Sequence, residues 1–458
     1  MDVISALPSM KQQKTIEGPK VSDDKDRISQ LPDSLLHHIL SFLPTKDAVM
    51  TCVLSTRWQD LWMSVTNLDF KCYGYYKKED KSNNSFTNFV ERVLLFHSSN
   101  IIRFCLDYGD SLDASRVNSW ISAAVRRRVQ EFRLSIHTQS VLWLPRNLCT
   151  SKMLTELKIS ASCELKLPSI ICLSNLKRLH LLHVTFLDDL SVHRLFSGLP
   201  VLEDLRLCSC RWSKINHVTI SLPNLRSLAL SVFSIFKSED DCKIKINAEN
   251  LIFLDCASDL TADLHLDNMP LLANSTIGLE LMGGNSKSAH HAVNLFGGLS
   301  FVKSLVISKG TLECLYYRNS VENLNLFPTF VNLSTLEVNS KVMSHASGPL
   351  MGIIRNAPIL ESIIIKEVYG GTWNRKPYPP CLEFTLKTCC LLDFDGRPAD
   401  TLFVKFLLKT AKVLERMTLY CSKYLCSQPK KLDHIMKLLK TVPRGSRNCV
   451  IDFIKKSY

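Results

Sequence analysis

The chain has 458 residues, of which 46% are hydrophobic and 22% are charged. This length allows about three domains, or fewer domains with a repeat array, and excludes a single small binding module. The composition is that of a globular chain rather than a disordered one. The longest stretch without a charged side chain, residues 288–302, has fifteen residues. Such a stretch is too short to span a bilayer, so no membrane segment is expected.

The seventeen cysteines include no CxxC pair. This pattern fits neither a disulfide framework nor a zinc ligand set. A reducing intracellular compartment, nucleus or cytoplasm, is therefore expected, with no metal or cofactor. Residues 1–25 mix both signs of charge and lack a continuous apolar run. We predict a flexible tail there rather than a secretory signal.

The formal net charge is +13, from 56 Lys and Arg against 43 Asp and Glu. A basic balance of this size is compatible with nucleic acid or an acidic partner. Residues 429–458 contain eight Lys or Arg and two Asp, a net charge of +6. Because nearly half of the excess is terminal, the charge of the remaining chain does not favour nucleic acid as a partner.

Prolines and candidate capping residues divide residues 26–72 into three predicted short helices. Pro32 suits the first position of a helix, and Pro44 stops that helix because the residue before a proline is pushed out of the α region. Thr45 and Ser55 are predicted to cap the next two helices, and Trp58 lies in the third. A unit of this size cannot hide all of its apolar surface by itself, so part of that surface is expected to meet a partner or the rest of the chain.

The segment resembles an F-box in several runs: Leu31-Pro32, Ile39-Leu40, Phe42-Leu43-Pro44, Val49 to Ser55, and the spaced Trp58 and Trp62. The resemblance implies docking of a Skp-type adaptor and, through it, a cullin ubiquitin ligase. It also implies a set of adaptor-facing positions: Leu31, Pro32, Leu35, Ile39, Leu43, Val49, Val53 and Trp58.

An LxxLxL pattern then recurs, starting at positions 154, 176, 202, 225, 251, 302, 333 and 360. The first four steps are 22, 26, 23 and 26 residues. Each lies within the 20–29 residues that one copy of a leucine-rich repeat occupies. The interval between 251 and 302 holds two periods, so one degenerate copy is expected inside it. We predict a leucine-rich-repeat array over 150–372, preceded by a linker and first irregular repeats over 73–149.

In such an array the patterned aliphatic residues point inward, and the residues between them point to the concave face. The positions predicted to bind a target on that face are Glu156, Lys158, Arg178, His180, Asp204, Arg206, Phe253, Asp255, Glu337 and Lys366. The four Lys and Arg listed there balance the four Asp and Glu. A duplex backbone needs a basic stripe, so this face favours a protein target.

Residues 373–458 alternate strands and helices. We predict strands over 386–392, 417–420 and 449–454, a helix capped by Asp400, and a second helix over 432–439. This stretch resembles the FBD module of plant F-box proteins in several runs: Pro380-Cys381-Leu382, Leu386-Lys387, Phe394-Asp395-Gly396, Ala411 to Glu415, and Pro443-Arg444. The fold class implied for the whole chain is α/β, with a three-helix F-box, a leucine-rich-repeat solenoid and a closing α/β FBD-like module.

One motif points to chemistry. Asp393-Phe394-Asp395-Gly396 after an apolar run matches the opening of haloacid-dehalogenase-type phosphotransferases, in which one carboxylate attacks phosphorus and the other handles protons. Only 62 residues follow Gly396, which leaves little room for the rest of that machinery.

The sequence therefore favours a non-catalytic substrate-receptor subunit of a Skp-cullin-F-box ubiquitin ligase. The alternatives are a repeat scaffold that binds protein or nucleic acid outside a ligase, and a phosphatase at Asp393 and Asp395.

Overall fold

The structure is a computed structural model that describes residues 28–71, 81–138, 141–212, 215–233, 242–280, 286–318, 327–373 and 376–455. The tail predicted over 1–25 lies outside these residues. The chain forms two compact units: unit 1 runs to Leu187 and includes 198–200, and unit 2 comprises 188–197 and everything from Val201. Within the described residues, no helix has the length and apolar character needed to cross a membrane.

Unit 1 begins with the predicted helical segment. Its helices are α1 (Asp33–Leu40) and α2 (Thr45–Met50), followed by 3-10 turns at Thr51–Val53, Thr56–Trp58 and Leu61–Ser64. The third predicted helix is therefore a pair of 3-10 turns. Thr45 and Ser55 make no side-chain caps: Pro44 precedes α2, and the Thr45 Oγ1 accepts a hydrogen bond from the Asp69 N–H at 2.6 Å.

The rest of unit 1 alternates strands and helices. The strands are β1 (Asn67–Lys71), β2 (Arg103–Ser111), β3 (Glu131–His137), β4 (Leu142–Trp143), β5 (Glu156–Ala161), β6 (Leu165–Lys166), β7 (Arg178–Leu182) and β8 (Thr185–Phe186). The helices are α3 (Lys81–Phe96), α4 (Ala114–Arg126) and α5 (Arg146–Cys149). A parallel sheet has the order β1-β2-β3-β5-β7, and β4 pairs with β6.

The core of unit 1 is a ladder of buried apolar side chains in register. One rung of the ladder crosses all five strands: Leu68, Phe104, Phe132, Leu157 and Leu179. The rings of Phe104 and Phe132 stack with their centroids 5.1 Å apart. The repeat pattern therefore starts before residue 150, because β1, β2 and β3 carry it with Phe in places where the later copies have Leu.

Unit 2 has a longer series of strands. They are β9 (Asp204–Cys208), β10 (Arg211–Trp212), β11 (His217–Ser221), β12 (Ser227–Val232), β13 (Lys243–Asn247), β14 (Phe253–Ser258), β15 (Asp263–Asp267), β16 (Asn274–Leu279), β17 (Ser304–Ile307), β18 (Thr335–Val342), β19 (Ser362–Val368), β20 (Thr388–Phe394), β21 (Arg416–Cys421) and β22 (Val450–Lys455). Its main sheet is parallel, in the order β9-β12-β14-β16-β17-β18-β19-β20-β21-β22, and β11, β13 and β15 form a second parallel sheet.

The helices of unit 2 connect these strands. They are α6 (Asp189–Ser197), α7 (Ser286–Gly297), α8 (Lys309–Arg318), α9 (Ser347–Arg355), α10 (Pro380–Phe384), α11 (Pro398–Thr410), α12 (Lys423–Cys426) and α13 (Pro429–Lys440). A 3-10 turn at Ser344–Ala346 precedes α9.

The degenerate copy expected between 251 and 302 is β16. It pairs in parallel with β14 on one side and β17 on the other. The buried Ser275 lies where the neighbouring strands have Leu254 and Leu305, which explains why a leucine pattern misses this copy.

The FBD-like stretch continues the main sheet of unit 2, because β20, β21 and β22 extend it beyond β19. Its elements fall close to the predicted ones, with one correction. Asp400 is not the N-cap residue of α11, which begins at Pro398, but lies inside its first turn. From there the Asp400 Oδ2 caps the start of the helix by accepting hydrogen bonds from the N–H groups of Asp395 and Arg397, each at 3.2 Å.

The adjacent cysteines of β20 test this register. Cys389 is fully buried in the ladder, whereas Cys390 lies half-buried on the other face of the sheet. Cys389→Ser places a hydroxyl among apolar side chains, so we expect it to lower the free energy of unfolding by about 2 kcal/mol. Cys390→Ser is the matched control, with an expected change below about 0.5 kcal/mol. Urea denaturation of both variants measures the difference, and equal losses would contradict the register.

Candidate functional site

The F-box-like segment exposes an apolar surface, which we call the helical face. It is made by side chains of α1, α2 and the turns that follow them, each at least 41% exposed: Leu35, Ile39, Phe42, Met50, Val53 and Leu54. Phe42 and Val53 are the most open, at 74% and 71%. Six large apolar side chains on so short a segment form the kind of patch that marks a protein interaction site.

The structure divides the eight positions that were predicted to face an adaptor. Pro32, Leu35, Ile39 and Val53 are exposed, and Leu31 and Leu43 are half-buried. Two predictions are corrected: Val49 and Trp58 are buried. Their apolar character serves the interior of the segment, so they support the helical face without forming it.

Polar contacts hold the start of the segment against the turn that carries Trp58. The Trp58 Nε1 donates to the Ser29 Oγ at 2.7 Å. Arg57 donates to the carbonyl oxygens of Ser29 and Leu31 and pairs with Asp33 at 2.9 Å. These contacts fix residues 29–33 at the entry of α1.

Sequence reasoning missed Phe42, Met50 and Leu54 on the helical face. Each lies in or next to a position where the chain leaves a helix, so helical periodicity gives it no preferred side. The sequence offers one indication of their exposure: they are large apolar residues that the helical pattern does not place in the interior.

The second candidate surface is the open face of the unit 1 sheet, formed by the side chains that alternate with the buried ladder. At its centre is Glu156, which is 2% exposed. Its carboxylate pairs with Arg133 at 2.9 Å, with Lys158 at 3.1 Å and with Arg178 at 2.6 Å. The prediction that Glu156 contacts a target is therefore corrected, because its side chain is covered by these three cations.

Burial alone would raise the pKa of Glu156. The hydrogen bonds from Arg178 and Lys158 and the charge of Arg133 outweigh burial and lower the pKa to about 2. Glu156 thus remains ionised and holds three cations at the surface. His180, another predicted target-binding residue, is buried.

Two residues of this face were not anticipated, because no strands or facing positions were predicted within the irregular repeats of 73–149. Arg103 on β2 pairs with Glu131 on β3 at 2.8 Å, and Arg133 lies 3.7 Å from the same carboxylate. Arg103, Arg133, Lys158 and Arg178 share the carboxylates of Glu131 and Glu156, so this cluster carries a net charge of +2.

The open face of unit 2 has a different character. Of the residues predicted there, Arg206, Phe253, Asp255 and Lys366 are exposed, and Asp204 and Glu337 are half-buried. Phe253 has Ser227 and Asn274 as its cross-strand neighbours and is 52% exposed. An aromatic side chain standing among small neighbours is a typical anchor for a protein partner.

Most residues in the rows around Phe253 are small or uncharged, and Asp255 and Glu337 are the charged ones. Two rows run across the strands in register: Ser227, Phe253, Asn274, Ser304, Thr335 and Ser362 in the first, and Ala229, Asp255, Thr276, Val306, Glu337 and Ile364 in the second. Among the described residues, no group of three His, Cys, Asp or Glu side chains is placed to hold a metal ion.

Three family models match the chain: "F-box domain" over residues 28–70, "At1g61320/AtMIF1, LRR domain" over 95–372, and "FBD" over 375–419. The chain is 30% identical to the F-box/FBD/LRR-repeat protein At4g26340 of Arabidopsis thaliana, over 93% of this chain and all of the relative. The chain belongs to the F-box/FBD/LRR-repeat proteins.

Two further relatives from Arabidopsis thaliana cover most of the chain. The F-box/FBD/LRR-repeat protein At4g00160 is 28% identical over 94% of both chains. The F-box/LRR-repeat protein At4g14096 is 29% identical over 87% of this chain and 89% of its own length. The resemblance drawn from the sequence is thus confirmed, as is the order F-box, leucine-rich repeats, FBD.

Within the FBD, the two carboxylates of the phosphotransferase-like motif do not share an open site. Asp395 is buried, accepts a hydrogen bond from Ser422 and pairs with Arg397 at 2.5 Å. Gly396 has a φ of +64°, and a Cβ at this position would lie 2.2 Å from the Ile435 Cδ1. The motif therefore has a structural explanation: a tight turn from β20 into α11 requires its glycine.

The Arg397 side chain links the FBD to the last repeats of unit 2. It pairs with the buried Glu367 of β19 at 3.0 Å, and it lies 4.4 Å from the ring centre of Tyr369. Burial raises the pKa of Asp400 to about 6, against the hydrogen bonds from the N–H groups of Arg397 and Asp395. The turn after β20 is thus a dense polar network rather than an accessible catalytic pair.

Glu156 provides a test of the cluster in unit 1. Glu156→Gln removes the charge that three cations share, so we expect the free energy of unfolding to fall by about 2 kcal/mol at pH 7. Glu131→Gln is the control, because its carboxylate is more exposed. This variant should lower the free energy of unfolding by about 0.5 kcal/mol.

The same variant has a defined pH dependence. Because the folded-state pKa of Glu156 is about 2, below its ordinary value of 4.5, its stabilisation is full above pH 4.5 and is lost as the pH falls towards 2. The gap in unfolding free energy between wild type and Glu156→Gln should therefore narrow below pH 4.5. Urea titrations from pH 7 to pH 3 measure this gap, and a gap that does not change with pH would refute the assignment.

Proposed function

We propose that this protein is a substrate-receptor subunit of a Skp-cullin-F-box ubiquitin ligase. In this function the helical face of the F-box binds a Skp-type adaptor, and the open faces of the repeat sheets bind a protein target. The observation that carries the proposal is the exposure of six large apolar side chains on the helical face, in a segment that matches the F-box model.

The helical face has the properties of a docking surface. Its apolar side chains are open, while the residues below them are buried and hydrogen-bonded, so the surface is already formed without a partner. Interfaces that need little reorganisation lose less conformational entropy on binding. The contacts made by Arg57 and Trp58 supply this preorganisation for the start of α1.

The F-box continues directly into the sheet of unit 1. Its last strand, β1, pairs with β2 through five register positions, from Asn67 with Arg103 to Lys71 with Asp107. An adaptor bound to the helical face is therefore connected to the open face of unit 1 through a continuous hydrogen-bonded sheet. Such a receptor contributes to ubiquitin transfer by holding its target near the charged enzyme, which raises the effective concentration of the target.

The chemistry of the two open faces supports a protein as the target. The open face of unit 2 combines the exposed Phe253 with neutral small residues and a few charges of both signs. The open face of unit 1 adds the mixed cluster around Glu156. An aromatic anchor in a mixed polar surface suits a protein partner.

Adaptor binding is tested with two substitutions on the helical face. Leu35→Asp and Val53→Asp each place a charge in the apolar patch, so we expect each to weaken the binding of a purified Skp-type adaptor by at least about tenfold. Isothermal titration calorimetry of the full chain measures the affinity, and circular dichroism confirms that each variant is folded.

The matched control is Leu95→Asp, in α3 of the same unit. Leu95 is 74% exposed, close to the 71% of Val53, but it lies outside the F-box. Its substitution should leave the affinity for the adaptor unchanged. Wild type that fails to bind any Skp-type adaptor, or a loss of affinity that is equal in all three variants, would exclude the ligase function and favour a free-standing repeat scaffold.

Target capture is tested at Phe253. Phe253→Ala removes the exposed ring of the unit 2 face, and we expect captured targets to be lost while adaptor binding and stability remain at the wild-type level. Leu271→Ala is the control, because Leu271 is also exposed but precedes β16 in a turn. Quantitative mass spectrometry of crosslinked, affinity-purified complexes compares the two variants. Identical captured sets would place the target surface elsewhere.

A further inference from the structure

A cavity of about 460 Å³ lies in unit 1, outside both the helical face and the open face of the sheet. It is formed by α4 and by the residues around β4, and its lining residues are Asn118, Ser119, Ser122, Arg126, Trp143, Leu144 and Pro145. This cavity is broadly open to solvent, and its volume is within the range of pockets that hold small molecules. The ligase function proposed above assigns no role to it.

One wall of the cavity is a face of α4. Asn118, Ser122 and Arg126 follow each other at intervals of four residues, so the helix places them in one row. Ser119 lies beside this row, and its hydroxyl donates to the Ser115 carbonyl oxygen at 3.1 Å. The wall therefore presents an amide, two hydroxyls and a guanidinium.

The opposite wall carries Trp143. This residue is 56% exposed although it lies in the ordered strand β4. Its partner in register is Lys166 on β6, whose Nζ lies 4.4 Å from the centre of the indole ring. This cation–π contact holds the indole in place.

The charge of the cavity selects the sign of the ligand. None of the seven lining residues is acidic. Within the Arg126-Arg127-Arg128 triplet, Arg127 is engaged by the backbone, because it donates to the Leu94 carbonyl oxygen at 2.6 Å and to that of His97 at 3.2 Å. Arg126 lines the cavity and can offer its planar fork to an oxyanion.

We propose that this cavity, between α4 and Trp143, binds a nucleoside phosphate. The base stacks on the indole of Trp143, and the phosphate is held by Arg126. Every base has a face that stacks on an aromatic side chain, and the guanidinium of arginine can bind a phosphate through two parallel hydrogen bonds. The ligand has two possible sources, a free nucleotide or one nucleotide of a single strand.

The experiment titrates the full chain with adenosine 5′-monophosphate by isothermal calorimetry. We expect binding, with about tenfold weaker affinity for Trp143→Ala and for Arg126→Gln. Adenosine and inorganic phosphate, tested separately, should each bind more weakly than the complete nucleotide. Arg128→Gln is the matched control from the same basic run, and it should change the affinity by less than about twofold.

The outcomes separate the proposal from its alternatives. No binding of the nucleotide at millimolar concentration, or equal affinities for wild type, Trp143→Ala and Arg126→Gln, would overturn it. A single-stranded oligoadenylate of six nucleotides identifies the source. Affinity close to that of the mononucleotide indicates a free nucleotide, whereas tighter binding with a salt slope of about −0.7 for each phosphate contacted indicates a single strand. Binding of the Skp-type adaptor is measured in parallel. Because the adaptor binds the helical face and not this cavity, that measurement tests the proposed ligase function separately from nucleotide binding.

Discussion

The register of the parallel strands is the constraint on which the rest of the structure depends. In each strand, two alternating side chains enter a ladder shared with the neighbouring strands, as Leu157 and Ile159 do with Leu179 and Leu181. A slip of one residue would turn every buried side chain outward, so the ladder fixes the register strongly. Because the open face consists of the residues between the ladder positions, the same constraint decides which side chains meet at the surface, including the cations around Glu156.

The sequence alone predicts this ladder where its positions are occupied by leucine. A leucine pattern misses the ladder positions that other residue types occupy. These include Phe104 and Phe132 in unit 1, Ser275 in β16 and Cys389 in the FBD. Burial selects for a side chain that fits between its neighbours, and several residue types fit. The positions are visible once aromatic, cysteine and serine residues are admitted to the pattern.

The candidate sites were less predictable than the fold, because a pattern of apolar residues does not tell which of them the chain itself covers. Trp58 is buried within the F-box segment, whereas Phe42 of the same segment is exposed. The ion pairs of Glu156 depend on strands more than twenty residues apart, which only the three-dimensional register brings together. The acidic motif of the FBD is a similar case, because Gly396 and the partners of Asp395 serve a turn rather than a reaction.

The pairing of β1 with β2 has a consequence for geometry. Because the last strand of the F-box is also the first strand of the unit 1 sheet, no free segment separates the two, and torsion between them would break ladder hydrogen bonds. A receptor with a flexible tether samples many orientations and can present many lysines of its target. Under the receptor function proposed above, the sheet of unit 1 would set the direction in which a target is presented, and the choice of lysine would depend on how the target lies on the open face.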